Sequence, residues 1–381
     1  MKLIYLANVR VPTEKAHGLQ IMKMAEAFRH CGHDLELWVA RRFNAQFAGV
    51  DPFAYYLVSE RFPIKRLWLI DMVETRRSFH GLSVVIQNTS FAISAFCCLV
   101  GRRFELLYSR DQFSLFLLSF FRKNLVWEMH EFPRSNRWLY RRLMKRLAAI
   151  VVITRQLKDL VVAEGVEPGR VTVAPDGVDL AAFAISETKQ QCRQRLGLPS
   201  DMRLIVYTGH LWSWKGVYVL AEAAAFLSAD CLVLFVGGME YDLEKLKRFV
   251  ADRGLPRIQF VGLKPPAEIA YWLAAADCLV LPNSGQREIS RRYTSPLKLF
   301  EYMAARRPIV ASRLPAILEI LNERNAILVE PDEPKALAAG IEQALKNEAF
   351  SAMIVKQAFA DVQGFTWQQR AQRILLALVN A

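Results

Sequence analysis

Short apolar runs rich in β-branched residues alternate with helix-length amphipathic segments along most of the chain, the pattern of parallel strands joined by crossover helices. In the first half these runs predict strands at Leu3–Asn8, Leu35–Ala40, Leu106–Ser109, Leu125–His130 and Ile150–Thr154. A turn-rich passage from Pro168-Gly169 to Pro175-Asp176-Gly177 interrupts the alternation. It resumes with Leu204–Thr208, Leu232–Val236, Ile258–Val261, Cys278–Leu281 and Ile309–Ala311. Two doubly wound α/β units in succession are therefore expected, over residues 1–165 and 166–359, with a hinge between about Glu164 and Phe183. The last segment, with Phe365, Trp367, Ile374, Leu375, Leu376 and Leu378, reads as an amphipathic helix with no strand after it. A helix over 360–381 is expected to dock back on the first unit. There is no short-period repeat, which excludes a solenoid.

A length of 381 residues agrees with two domains. With 53% hydrophobic and 23% charged residues the chain is not disordered. The net charge of +13 is uneven: 25 basic and 14 acidic side chains lie up to Gly165, against 25 and 23 beyond it. A basic half fits nucleic acid, an anionic membrane or a phosphorylated substrate. Nucleic acid ranks last, because the cations do not alternate with aromatics as single-strand platforms require. The six cysteines (Cys31, Cys97, Cys98, Cys192, Cys231, Cys278) form no C-x-x-C pair and read as buried thiols of a reducing compartment. The start reads as a first strand, not a signal peptide. Ser83 to Val100 is uncharged and long enough for a bilayer core of roughly 30 Å, yet Gln87, Asn88, Thr89, Ser90 and Ser94 interrupt it. It is read as a buried helix rather than a membrane span.

Ligands of open α/β sheets bind beyond the carboxyl ends of the strands. After the first strand, Asn8 to Gly18 leads into a helix expected near Leu19, and Gly18 would let an anion approach the backbone N–H groups there. No G-x-G-x-x-G is present. In the second half, Tyr207-Thr208-Gly209 is followed by His210-Leu211-Trp212-Ser213-Trp214-Lys215-Gly216, where Lys215 can reach a phosphate as a point charge and His210 can add a donor. An ordinary polar loop with a solvated lysine is the alternative. In Tyr293-Thr294-Ser295-Pro296-Leu297-Lys298-Leu299-Phe300-Glu301, Ser295 is expected as N-cap and Pro296 as first helical residue, leaving N–H groups from Leu297 onward for an anion. Glu301, one turn further and among apolar neighbours, needs partners, which ribose hydroxyls or a salt bridge would supply.

These stretches, with Pro12-Thr13-Glu14-Lys15-Ala16-His17-Gly18, Trp127-Glu128-Met129-His130-Glu131, Val173-Ala174-Pro175-Asp176-Gly177-Val178-Asp179 and Pro308-Ile309-Val310-Ala311-Ser312, resemble the retaining glycosyltransferases of family 4 over almost the whole length. The resemblance implies the GT-B fold, two facing Rossmann-like domains with an interdomain cleft, and a nucleotide-diphospho-sugar donor without any metal or other cofactor. It implies donor contacts at Gly18, Gly209, His210, Lys215, Gly238, Leu263, Thr294, Ser295, Pro296 and Leu297. Glu301 matches the second glutamate of the family's E-x7-E motif, which binds the donor ribose, and His130 matches a histidine close to the transferred sugar. Glu14, Lys15 and His17 are candidate acceptor contacts. The chain departs from the family at Tyr293, where the first motif glutamate is expected, and at His210, where an arginine is usual.

Arg134 to Leu147 carries six positive charges and no negative one, with Leu139, Leu143 and Leu147 recurring on one face. Such a helix either lies on anionic lipid or packs on the core with a solvated basic back. The expectation is a cytoplasmic enzyme at the membrane's inner face, moving a sugar to a lipid-linked or cell-envelope glycan. A non-catalytic nucleotide-sugar-binding subunit and a GT-B enzyme with a soluble acceptor are the alternatives.

Overall fold

The computed structural model describes residues 1–71, 80–133 and 136–379. It divides into two compact units, Met1–Pro175 with Trp367–Ala381, and Asp176–Thr366.

The first unit holds a seven-stranded sheet: β1 (Lys2–Ala7), β2 (Asp34–Ala40), β3 (Ile64–Leu67), β4 (Leu106–Ser109), β5 (Leu125–Met129), β6 (Ala149–Val152) and β7 (Val171–Val173). Their order is β3-β2-β1-β4-β5-β6-β7, and all pairings are parallel. Strands of such a sheet are covered on both faces and read as unbroken apolar runs; Leu3 to Ala7 are fully buried. Tyr5, Phe28 and Tyr108 pack edge to face, with centroids 5.1 to 6.5 Å apart.

The second unit repeats the plan with β8 (Arg203–Thr208), β9 (Cys231–Val236), β10 (Ile258–Gly262), β11 (Cys278–Leu281), β12 (Ile309–Ser312) and β13 (Ile327–Val329), ordered β10-β9-β8-β11-β12-β13. Each sheet reverses its winding between two central strands, β1/β4 and β8/β11. The loops at those carboxyl ends are where such folds take ligands.

Several expectations need correction. Three strands escaped the sequence reading: β3, β7 and β13. All three are sheet-edge strands of three or four residues, paired on one side only and so under weaker demand for an apolar run. Because β7 is the seventh strand of the first sheet, the first unit runs to Pro175 rather than 165. At the other end, residues 360–366 stay with the second unit. Only the helix Trp367–Val379 returns to the first, where it packs on the helix Ala16–His30 through the buried Ala371 and Ile374. All six cysteines are free, but only Cys192, Cys231 and Cys278 are buried, and Cys97 and Cys98 are exposed.

The helix His80–Leu99 is not a buried core helix either. Gly81–Leu99 is long and apolar enough to cross a membrane, and a third of its most apolar window is buried. Its polarity is partly reversed: Ser83, Gln87 and Ser90 face inward, while Leu82, Val85 and Ile93 are more than half exposed. The inward Ser90 hydroxyl accepts from Ile70 N–H at 3.0 Å, which satisfies a group that an apolar residue would leave orphaned.

Candidate functional site

In the second unit, β8 ends at Thr208 and the chain turns at Gly209, whose φ of +108° suits glycine. Gly209 and Gly237 bring the loops after β8 and β9 together so closely that a Cβ on Gly237 would lie 2.5 Å from the Gly209 oxygen. Gly238 abuts Leu211 in the same way, at 2.5 Å. The loop then builds a ladder. The His210 ring stacks on Trp212 at 4.6 Å, Trp212 on Trp214 at 5.6 Å, and the Lys215 amine lies 4.0 Å from the Trp214 centroid. Gly216 closes the turn with φ +74°, and a Cβ there would meet the Pro282 oxygen at 1.6 Å. A left-handed non-glycine residue alone costs about 1–2 kcal/mol. Gly216→Ala is therefore expected to lose more than that in urea denaturation and to displace Lys215. A change within about 0.5 kcal/mol, the range of an ordinary surface substitution, would contradict it.

Burial brings the Lys215 amine down to about 7, and it pairs with no carboxylate among the described residues. Across the switch point, the helix Leu297–Ala304 follows the stretch 293–296. Pro296, not Ser295, is its N-cap. The Ser295 hydroxyl is occupied elsewhere, accepting Asp176 N–H at 2.9 Å. The helix start consequently has no side-chain cap, and the first-turn N–H groups of Leu297 and Lys298 remain available. Thr294 is buried, as is Tyr293, which caps the short helix Glu288–Arg292. Glu301 lies one turn in, and burial raises its carboxyl to about 7 against the pull of Lys298.

Lys298 went unnoticed in the sequence. The residue is 92% buried, its amine sits 3.5 Å from the Tyr207 ring centroid, and its Nζ has no hydrogen-bond partner among the described residues. A Cβ on Gly209 would lie 3.2 Å from that Nζ. Burial first, then the neighbouring Lys215, hold its pKa well below the usual lysine value, with Glu301 opposing. The available signal was a lone lysine inside an otherwise apolar helical turn, Leu297-Lys298-Leu299-Phe300. Leu263, just past β10, is partly exposed.

In the first unit, the helix expected near Leu19 begins at Ala16, with Lys15 as N-cap, so His17 and Gly18 lie in its first turn. Gly18 is buried, and a Cβ on it would lie 2.2 Å from the Tyr56 hydroxyl. That hydroxyl accepts Thr13 N–H at 2.7 Å and donates to the Thr13 oxygen at 2.8 Å, so the glycine is required by Tyr56. Glu14 holds Arg10 at 3.0 Å. Burial, then Arg110 and Lys15, bring His17 down to about 3, so it is neutral at physiological pH.

At the end of β5, Glu128 is fully enclosed and takes four donors or partners: Tyr5 Oη (3.1 Å), Gln20 Nε2 (2.7 Å), Arg370 Nη2 (2.6 Å) and His130 Nε2 (3.0 Å). Burial pushes its carboxyl up, but Arg370, His130 and Arg110 outweigh that and hold it well below the usual carboxylate range. Arg370 comes from the returning helix, and its Nε also donates to the Ala174 and Pro175 oxygens at 3.2 and 2.9 Å. His130 is thus fixed through Nε2 with its ring partly exposed.

Two family descriptions match in succession: "Glycosyl transferase 4-like domain" over residues 17–177 and "Glycosyl transferases group 1" over residues 202–347. The chain belongs to the group 1 glycosyl transferases. Among curated relatives, a D-inositol 3-phosphate glycosyltransferase of Nocardioides is 27% identical over 240 residues, 58% of this chain and 50% of that protein. A protein of Bacillus subtilis named putative teichuronic acid biosynthesis glycosyltransferase TuaC is 28% identical over 193 residues, 50% of this chain and 46% of that one. The chain thus spans about half the length of these relatives. Among solved structures, Anabaena Alr3699/HepE in complex with UDP superposes with a TM-score of 0.77 at 18% identity, covering 100% of both chains. This likeness shows the two-domain GT-B fold.

Within this group 1 glycosyl transferase, the second unit gathers Gly209, His210, Lys215 and Glu301 at one sheet switch point, together with the unforeseen Lys298. His130 stands in the first unit, as do Gly18, Glu14, Lys15 and His17.

The basic helix, described over Arg137–Arg146, also departs from expectation; Arg134 and Ser135 lie outside the described residues. Its apolar face, Leu143 and Leu147, is buried and is not offered to lipid. Its charge is partly spent too, since Glu164 from the following helix's end pairs with both Arg137 and Arg141. The exposed back carries Arg142, Lys145 and Trp138, and Arg146 lies over the half-exposed ring of Phe120 at 4.1 Å.

Proposed function

We propose that this chain is a metal-independent, retaining glycosyltransferase moving a sugar from a nucleotide-diphospho-sugar to an acceptor hydroxyl. The observation that carries the reading is the placement of Lys215 and Glu301 at the β8/β11 switch point. Each is a partly or fully enclosed charge that lacks an oppositely charged hydrogen-bond partner among the described residues. A diphosphate complements the first and a ribose diol the second. The amine and the uncapped helix start are preorganised for charge developing on the departing diphosphate, the job a metal does elsewhere. The acceptor oxygen bonds to the anomeric carbon as the bond to the phosphate oxygen breaks. That same phosphate oxygen takes the acceptor proton, on the face it leaves, and the configuration is retained. His130 contacts the transferred sugar, and Tyr293 leaves sugar recognition to backbone N–H groups around Thr294 to Leu297. Binding of a nucleotide sugar without turnover would favour the non-catalytic subunit instead.

The two titrations give this reading a pH signature. Below about 7 the Glu301 carboxyl is protonated in the free protein and accepts ribose hydroxyls poorly; above about 7 Lys215 loses the proton that attracts the diphosphate. On these two groups alone nucleoside diphosphate affinity peaks near pH 7 and falls on each flank by up to about tenfold per pH unit, and any further amine that must be protonated steepens the alkaline flank and flattens the acid one. Calorimetric titrations from pH 5.5 to 8.5 check it, and a flat profile would sink it.

The acceptor is proposed to be lipid-linked, with the first unit lying on the inner membrane face. The reversed polarity of His80–Leu99 supports this, as does its continuity with an aromatic and basic surface. Phe96 contacts the exposed Phe121 at 5.2 Å, and the adjacent Phe120 lies under Arg146. Each cation near an anionic surface contributes about 1 kcal/mol. Changing Arg142, Lys145 and Arg146 to glutamine should weaken salt-sensitive binding to phosphatidylglycerol vesicles, and Ile93→Ser with Phe121→Ser should weaken what salt leaves. Unchanged sedimentation of both would contradict the surface.

A further inference from the structure

We propose that Lys298 is a second diphosphate-binding cation, which with Lys215 forms a two-amine clamp at the end of β8; this rests on the donor reading above. Lys298 reaches the site from the helix Leu297–Ala304, Lys215 from the loop after β8, so the clamp spans the strand switch from both sides.

Four observations meet here. The residue is 92% buried and its Nζ lacks any hydrogen-bond partner among the described residues, and a protein without use for such a charge would replace it by methionine or leucine at a gain in stability. The amine is not aimed at a carboxylate; it rests on the Tyr207 ring at 3.5 Å and under the side-chain-free backbone of Gly209. Its electrostatic neighbours are Lys215, which repels it, and Glu301, which attracts it. Finally, the N–H groups of the uncapped helix start that bears it are available to the same anion. A group carrying two negative charges on adjacent phosphates satisfies both amines at once, whereas a single carboxylate or monophosphate satisfies one. Binding requires both amines to be protonated together, so it draws a proton from solvent.

Wild type, Lys298→Met and Lys215→Met are titrated calorimetrically with UDP, GDP, dTDP, the matching monophosphates and inorganic pyrophosphate, in buffers of different ionisation enthalpy. Lys298→Met is expected to bind the preferred nucleoside diphosphate and pyrophosphate roughly 10- to 100-fold more weakly, the worth of one charge-assisted hydrogen bond, with the monophosphate changed several-fold less. Its Tm should hold or rise. Wild type should take up protons on binding at pH 8, and Lys298→Met fewer. Equal diphosphate affinity in wild type and Lys298→Met, proton uptake unaltered by the change, or a lowered Tm accompanying lost binding would each overturn the role of Lys298 while leaving the donor site standing. Binding of no diphosphate by wild type would overturn the donor reading itself.

Discussion

Arg370→Met is expected to destabilise the protein by about 3–5 kcal/mol, the cost of leaving a buried charge without its partner. Arg370 and Glu128 are both almost wholly enclosed, at 2% and 0% side-chain exposure. The arginine satisfies one carboxylate and two main-chain oxygens that precede the passage into the second unit. Removing it takes the guanidinium donor from both main-chain oxygens and leaves the enclosed Glu128 charge with only Tyr5, Gln20 and His130 named above. Because the Glu128 carboxyl is held below its unfolded value, its contribution is present above the ordinary glutamate range and is lost as pH falls through the folded value. Without Arg370 the acid-side loss of stability should begin at higher pH. Urea denaturation of wild type and variant between pH 3 and 8 measures both effects. A penalty below about 1 kcal/mol, the size of an exposed pair, would show that the returning helix is only loosely attached.

Lys215→Met should lower kcat/KM for the nucleotide sugar by about 10²–10³, the loss typical of removing one preorganised stabiliser of developing charge. Folding should suffer little, since burial, which brings the amine down to about 7, costs more than its contact with the Trp214 ring returns. The partition between constants is informative: an interaction made mostly in the transition state takes kcat and kcat/KM down together. A rise in KM alone would reduce Lys215 to a ground-state contact. Steady-state nucleotide release by folded wild type and Lys215→Met decides between the two.

Much of this architecture was legible in the residues, and the reasons differ from place to place. Central parallel strands such as β1 and β8 must be apolar on both faces, so Leu3–Ala7 and Leu204–Thr208 announce themselves. Edge strands such as β13 carry no such demand. The loop glycines were visible, but their causes were not: Gly18 answers to a hydroxyl 38 residues later in sequence, and Gly216 to a carbonyl from the loop after β11. Ser295 looked like a cap because serine before proline usually is one, and only the fold shows its hydroxyl claimed by Asp176 N–H. Lys298 was hidden by its ordinariness, since a lysine in a short amphipathic helix normally points to water. The basic helix misled for the opposite reason. Its charge was read from its own residues alone, while Glu164, which takes up two of its arginines, lies on another element.

The charge surplus of the first half gains a sharper meaning. Some of its cations are paired within the fold, Arg102 with Glu36 and Arg137 and Arg141 with Glu164. What remains outward, around Arg142, Lys145 and Arg146, adjoins exposed aromatic rings rather than a nucleotide site. The proposed donor end relies on two enclosed amines and a helix start.

The most direct test is to incubate the wild-type protein with UDP-, GDP- and dTDP-sugars and a membrane lipid extract, and to measure nucleoside diphosphate release with and without EDTA. Release from at least one donor, undiminished by the chelator and lost in Lys215→Met, is the predicted result; failure to bind or turn over any of these donors would contradict the assignment of Lys215 and Glu301 to a nucleotide sugar.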